Sequence, residues 1–388
     1  MPTKPNIEAT SQKINDLDQT AEKKGMSSKK ISSKPDVLFS KDIPKSKEKE
    51  IKNLIYHDSL TGLNNRQFFL ENLSILDSLD NLPLSIIVGD INCFKLVNDS
   101  LGYIYGNKLL KTFAKIFQNT CRPFDIVARI DSNKFVFILP KLEESLAIKM
   151  IKMITIRIEN DPINLLKSSM TFGCKTKQLV KEDINEIIES AENQMYQQKV
   201  NEKNNLVREM IIQIMSTLYD RNHRERLHSQ KVSVICEKIA VFLGLDVQER
   251  HDLKMAALMH DIGNIYIDES ILHKRGKLTR KEWIQIKKHT EVGYRILISS
   301  KEFLKIADSI LQHHEKWDGT GYPKGLKGKD ILLNARVIAI ADAYEAMTSV
   351  RSYRKKMSKQ EAFEEIKRCS GTQFDPKLVR LFINHYSE

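Results

Sequence analysis

The sequence predicts an α+β protein of two domains: a mixed α/β sheet with helices, then an all-α helical bundle, with a disordered tail in front. Three observations predict it. Two short apolar runs, Ser85–Gly89 and Lys134–Leu139, read as buried strands between helices. Beyond about residue 204, apolar side chains recur only at three- and four-residue steps, the period of an amphipathic helix. A length of 388 residues with 41% hydrophobic content suits two packed domains.

Residues 1–48 are rich in lysine and serine and almost free of large apolar side chains, so they are expected to be disordered. Residues 49–203 are assigned to the sheet domain. A helical linker follows, with Leu206, Met210, Ile211, Ile214, Met215 and Leu218 on one stripe. Such a stripe packs two domains, or two protomers, together, and a homodimer through the linker or the sheet domain is expected. Residues 204–388 are assigned to the bundle. Val232, Ile235, Ile239, Ala240 and Leu243 mark one helix, with Gly244 as its C-terminal cap. Leu253, Ala256, Ala257, Met259 and His260 mark the next, ending at Gly263. Thr279-Arg-Lys-Glu282 is a capping box, which places His289 on a helix. Asp342 lies in the apolar run Val337–Tyr344, where a buried carboxylate needs a partner or a metal.

Within the bundle, five of the chain's 10 histidines form a series with two aspartates: His228, His260-Asp261, His289, His313-His314 and Asp342. Imidazole and carboxylate bind borderline and hard divalent metals. After His260 the intervals are 29, 24 and 28 residues, long enough for successive helices to return to one point. Any one of these histidines could be an ordinary polar core residue; the set together favours a metal site. Two metals close together suit phosphate-ester hydrolysis. His57, His223, His251, His273 and His385 lack the pattern and are expected at the surface.

The same half carries Ile271-Leu-His-Lys-Arg-Gly-Lys-Leu278, His289-Thr-Glu-Val-Gly293, His313-His-Glu-Lys-Trp-Asp-Gly-Thr-Gly-Tyr-Pro-Lys-Gly-Leu326, Ala341-Asp-Ala-Tyr-Glu-Ala-Met-Thr-Ser349 and Gly371-Thr-Gln-Phe-Asp-Pro376. In these pieces it resembles the HD-GYP family of metal-dependent phosphodiesterases. The resemblance implies a helical bundle around two or three metals, usually iron or manganese. It implies hydrolysis of the bacterial messenger cyclic di-GMP to pGpG or GMP by metal-activated water. Its ligand set, carried over, is His228, His260, Asp261, His289, His313, His314 and Asp342, with Asp261 bridging. Arg351, Arg354 and Tyr322 correspond to substrate-binding positions. A third metal in some members uses a carboxylate four residues before the first histidine; Arg224 stands there with Glu225 beside it, so two divalent metals are expected. The family motif continues with a catalytic lysine where this chain has Asn264. Asparagine carries no charge and only an amide to donate, which puts turnover in question.

Residues of about 50–205 resemble the GGDEF family of diguanylate cyclases through Asp58-Ser-Leu-Thr-Gly-Leu-Asn-Asn-Arg66, Asp90-Ile-Asn-Cys-Phe-Lys-Leu-Val-Asn-Asp99 and Pro123-Phe-Asp-Ile-Val-Ala-Arg129. The signature itself reads Asp131-Ser-Asn-Lys-Phe135: the two glycines are lost, Asn133 replaces a metal carboxylate and Lys134 an acidic catalytic residue. Asn107 replaces a guanine-reading aspartate, while Asn98 is kept. The resemblance therefore implies a domain that has lost cyclase activity. Arg122 and Asp125 keep the spacing of the family's inhibitory site for cyclic di-GMP.

Composition bounds the rest. No run of about 18 apolar residues exists, so no membrane span is expected. The polar start without an apolar signal region, and five scattered cysteines without a Cys-x-x-Cys, are expected of a cytoplasmic protein with reduced thiols. The net charge of +12 calls for an anionic partner. No nucleic-acid module accompanies it, so a dianionic dinucleotide is expected instead of nucleic acid. The reading is a cyclic di-GMP phosphodiesterase with a degenerate cyclase domain. Its rivals are a non-catalytic receptor or scaffold for cyclic di-GMP, and an HD phosphohydrolase acting on another nucleotide.

Overall fold

The structure, a computed structural model, describes residues 54–274, 276–349 and 356–386. The expected tail over residues 1–48 and the candidate substrate residues Arg351 and Arg354 lie outside the described residues.

The first part is a five-stranded sheet of order β1-β3-β4-β2-β5. Its strands are β1 (Asn64–Asn65), β2 (Leu84–Ile91), β3 (Ile126–Arg129), β4 (Lys134–Leu139) and β5 (Met170–Lys177). β1 and β3 run parallel and the other pairs antiparallel, so the sheet is mixed as expected. Period-two alternation sends the side chains of β2 and β4 to opposite faces. Ile87, Phe135 and Phe137 face α2 (Phe94–Gln118) and α3 (Glu144–Glu159). Ile86, Val88, Val136 and Ile138 face α1 (Arg66–Leu76) and the start of α4 (Ile184–Arg221). Phe117 of α2 packs edge-on against Phe135 and Phe137, with centroids 5.0 and 5.3 Å away. On the other face α4 lies directly on β5: a Cβ at Gly173 would stand 1.9 Å from the Ala191 carbonyl oxygen.

α4 is 38 residues long and capped by the Asp183 carboxylate. It runs through the expected boundary at residues 203 and 204 without a break. Met210, Ile211, Ile214, Met215 and Leu218 are buried in the chain's own core. Of the two roles expected for this stripe, it takes the packing of the two parts of one chain.

The bundle follows: α5 (His223–Phe242), α6 (Val247–Met259), the short α7 (Glu269–Leu272), α8 (Arg280–Leu297), α9 (Leu304–Gln312), α10 (Leu333–Thr348), α11 (Lys359–Arg368) and α12 (Pro376–Tyr386). α5 closes at Gly244 in the left-handed region, φ 68°, as the sequence indicated. The Thr279–Glu282 capping box forms at the start of α8, and Asp246 with Glu249 makes another on α6. All five cysteines are free thiols. Among the described residues no helix is long and apolar enough to cross a membrane.

Phe117 is fully buried among three other phenylalanines. Phe117→Ala is expected to cost about 3–5 kcal/mol, read as a lowered urea midpoint with an unchanged denaturant slope.

Candidate metal centre

Each ligand position is fixed by a helix end or a helix face. His228 lies on α5, one turn in from the Asn222 cap, whose side chain accepts from the Glu225 amide. His260 and Asp261 end α6, where the backbone passes into a 3-10 turn over Ile262–Tyr266. His289 lies on α8, His313 and His314 follow α9, and Asp342 lies on α10. Gly263 makes the convergence possible: a Cβ there would stand 1.9 Å from the His289 carbonyl oxygen. The α6 turn and α8 therefore meet backbone to backbone.

All seven expected ligand residues come together in two groups. Asp261, His289, His313 and His314 form one; His228, His260 and Asp342 form the other. Within each, the candidate ligand atoms lie within 4.8 Å of one another. Asp261 stands between the groups: Oδ1 lies 3.3 Å from His289 Nε2 and Oδ2 lies 3.3 Å from His260 Nε2.

Hydrogen bonding decides which way the imidazoles face. His260, His289 and His313 direct Nδ1 at the carbonyl oxygens of Ala257, Ile286 and Ile310, at 2.8, 2.7 and 2.6 Å. A carbonyl can only accept, so each Nδ1 carries its proton and each neutral ring turns a bare Nε2 lone pair inward. His289 Nε2 and His313 Nε2 lie 3.2 Å apart. His260 Nε2 is buried without a hydrogen-bond partner, despite its 3.3 Å approach to Asp261. Converging lone pairs beside a carboxylate are a donor set for a divalent cation. In the second group His228 Nδ1 meets Glu345 Oε2 at 2.6 Å and Nε2 faces Asp342 Oδ1 at 3.2 Å. Glu345, three residues beyond Asp342, is thus the carboxylate that orients a ligand imidazole. It was not singled out from the sequence, although its spacing on a helix face could have marked it.

Without a cation, protons take part of its place. Burial disfavours the charged form of His228, but the Asp342 and Glu345 carboxylates outweigh it and raise its pKa to about 11. Burial likewise opposes protonation of His260, and Asp261 raises it to about 9. His313 is driven well below its usual range by burial and by His314 and His289. Burial and His289 lower His314 to about 4. Partial burial opposes the charged form of Asp261, yet the imidazoles of His260, His289 and His313 hold its pKa far down.

Asn264 is nearly buried and donates its amide to Glu225 Oε1 at 3.2 Å. Glu225 in turn shares a hydrogen bond with Asp261; burial and the Asp261 charge push its carboxyl well above the usual range. Arg224 stands at the expected position, but Glu225 turns toward the centre. Both line a cavity of about 520 Å³ with His228, Lys231, Asp261, Asp342 and Glu345. Asp342, expected to be buried, keeps 24% of its side chain exposed because it faces this cavity. His273 is exposed as expected but reaches the cavity wall.

Tyr322 stacks near His314, with ring centroids 5.0 Å apart, and Lys287 lies 5.0 Å over its ring. Its loop hangs on a residue given no role from the sequence. The buried Glu315 carboxylate accepts the backbone amides of Lys324, Gly325 and Leu326 at 2.7, 3.1 and 3.0 Å. Gly321 is required there, since a Cβ would stand 2.3 Å from the Lys316 nitrogen.

In the sheet domain the expected inhibitory-site residues are committed to each other. Arg122 makes bonds to both Asp125 oxygens, at 2.7 Å in the shortest, and reaches the Pro140 carbonyl at 2.8 Å. Asn133 donates to Asp90 at 2.7 Å, Lys199 of α4 pairs with the same carboxylate, and Lys134 pairs with Glu192 at 3.5 Å.

Comparisons with known proteins divide the chain in the same way. Residues 205–378 match the HD domain family, and residues 55–205 match the family described as diguanylate cyclase, GGDEF domain. A Vibrio cholerae protein named 3'3'-cGAMP-specific phosphodiesterase 2 is 39% identical over 183 residues, 47% of this chain and 35% of that protein. A Thermotoga maritima protein named cyclic di-GMP phosphodiesterase is 37% identical over 176 residues, 45% of this chain and 48% of that one. The chain thus spans half or less of these relatives' lengths. Among solved structures, the coiled coil and GGDEF domain of DgcB from Caulobacter crescentus aligns with 50% of this chain and 96% of its own. Its identity is 17% and its TM-score 0.37.

Cation uptake must displace the protons on His228 and His260, whose pKa values are raised to about 11 and about 9. Metal affinity is therefore expected to rise with pH between 6 and 9, by about two logarithmic units per pH unit, and more shallowly above 9. Competition titrations against a chelator at several pH values check this.

Proposed function

We propose that this chain, a GGDEF domain joined to an HD domain, is a metal-dependent phosphodiesterase for a cyclic dinucleotide, cyclic di-GMP first. The observation that carries the reading is the placement of Asp261, one carboxylate oxygen toward each ligand group. Two divalent cations, iron or manganese, fit this donor set, and when bound they supply a water-derived nucleophile at neutral pH and shield phosphate charge. His228, His260 and Asp342 would hold one, and His289, His313 and His314 the other, with Asp261 shared.

In the reaction, water attacks one phosphorus of the ring and the P–O3' bond breaks. The leaving oxygen takes a proton and linear pGpG results. Tyr322 is placed to meet a base, and Arg351 and Arg354 are proposed to hold phosphate or guanine through their guanidinium forks. Asn264, a neutral amide, offers the leaving oxygen neither charge nor an acidic proton, and its amide is turned to Glu225. The GGDEF domain serves as a non-catalytic module, since Asn133 stands in place of a metal carboxylate and is bonded to Asp90, and Lys134 stands in place of an acidic catalytic residue and pairs with Glu192. With the linker stripe covered inside one chain, a homodimer would use the GGDEF surface.

The names of the relatives favour a second substrate, the mixed dinucleotide 3'3'-cGAMP. Manganese- or iron-loaded protein, prepared anaerobically, is to be incubated with each dinucleotide and followed by chromatography. A linear product that disappears in His260→Ala establishes the enzyme, and the faster substrate identifies its class. Calorimetric binding without product would make the chain a receptor. Asn264→Lys is expected to raise kcat by about tenfold or more, within the range attributed to general acid catalysis.

A further inference from the structure

The last carbonyls of a helix have no partner within it and must find one elsewhere. On α6, the helix that ends at His260, the Leu258 carbonyl accepts the hydroxyl of Tyr219 at 3.0 Å. Tyr219 belongs to α4, the helix that begins against the GGDEF sheet. Ser229, beside the candidate ligand His228 on α5, lies close enough to this hydroxyl to act on its acidity. One side chain thus reaches two of the helices that present metal ligands.

Tyr219 is itself held from the GGDEF side. Two residues earlier, Thr217 Oγ1 lies 2.8 Å from the Gln213 carbonyl of its own helix and 3.3 Å from the Leu165 carbonyl, between which its proton is shared, and Leu165 follows the GGDEF helix α3. The turn after Asp261 is braced on the same side. A Cβ at Gly102, the kink in α2, would stand 3.6 Å from the ring of Tyr266. Arg295, on the helix that carries His289, lies 3.8 Å from Asp99 of α2.

We propose that Tyr219 is a positioning residue of the metal centre, through which the GGDEF domain sets the placement of His260, Asp261 and His228. The ring packs into the shared core, while the hydroxyl fixes the end of α6. A packing role and a positioning role therefore separate in Tyr219→Phe, which keeps the ring and loses the hydroxyl.

This inference rests on the metal-centre reading, and the test is chosen so that the two fail separately. The full chain is to be titrated with cobalt(II), reading affinity and the visible spectrum, which reports ligand geometry without turnover. Ser85→Ala serves as control, because its buried hydroxyl donates to the Leu142 carbonyl within the GGDEF domain, away from Leu165. Tyr219→Phe should bind cobalt about three- to tenfold more weakly, the effect of one hydrogen bond. Its absorption bands should shift, and Ser85→Ala should match the wild type. Wild-type affinity and spectrum in Tyr219→Phe would overturn the inference and leave the metal centre standing; so would equal losses in both variants. Failure of the wild type to bind cobalt would overturn the metal reading itself. Should Tyr219→Phe not fold, Thr217→Val tests the same path one step back, with the same expected shift and the same overturning result.

Discussion

Three imidazoles turn their Nε2 atoms toward one carboxylate, and the bundle is arranged around that fact. His260, His289 and His313 each give their Nδ1 proton to the carbonyl three residues earlier on their own helix. His260 and His313 stand at helix ends and His289 on the face of α8, and in each the bond fixes tautomer and ring orientation together. What it leaves is electrostatically unstable: nitrogens 3.2 Å apart with no proton to share if both rings are neutral, and a buried His260 Nε2 with no partner. Desolvated lone pairs of this kind need a cation or a proton.

The surroundings make sense as supports for that cluster. Glu345 orients His228 and is held in turn by the Ser349 hydroxyl and by Lys231 at 3.4 Å. Glu315 gathers three amides of the loop that carries Tyr322 over His314. Gly263 lets two ligand-bearing segments touch through their backbones. None of these contributes an atom to the two ligand groups. Each restricts where a ligand can go, which matters because a metal site tolerates little displacement of its donors.

The legible part of the sequence was the part written in residue type and spacing. The seven candidate ligands, the capping box at Thr279 and the strands β2 and β4 follow from local pattern, and the sheet's mixed class from the family resemblance. Glu345, Glu315, Glu225 and Tyr219 do not. A glutamate three residues from an aspartate on a helix is usually a solvated charge, and only the approach of another helix makes it the partner of an imidazole. Tyr219 reads as one more apolar member of the α4 stripe until Leu258 is placed beside it. Arg224 and Glu225 show the limit most directly. The position expected to carry a third carboxylate holds arginine, yet the next residue along turns inward, because the Asn222 cap sets where α5 begins and hence which side chains face Asp261.

In the sheet domain the polar side chains pair internally: Asn133 and Lys199 are bonded to Asp90 and Lys134 to Glu192. Lys199 and Glu192 both belong to α4, so these pairs tie the sheet to the helix that runs on into the bundle. Partly exposed pairs contribute little stability each. Their direction is what counts here. They connect strands β2 and β4 to α4, and α4 carries the Tyr219 hydroxyl to the end of α6. Lys134 of β4 and Lys199 of α4 are thus the side chains that join the sheet to this helix.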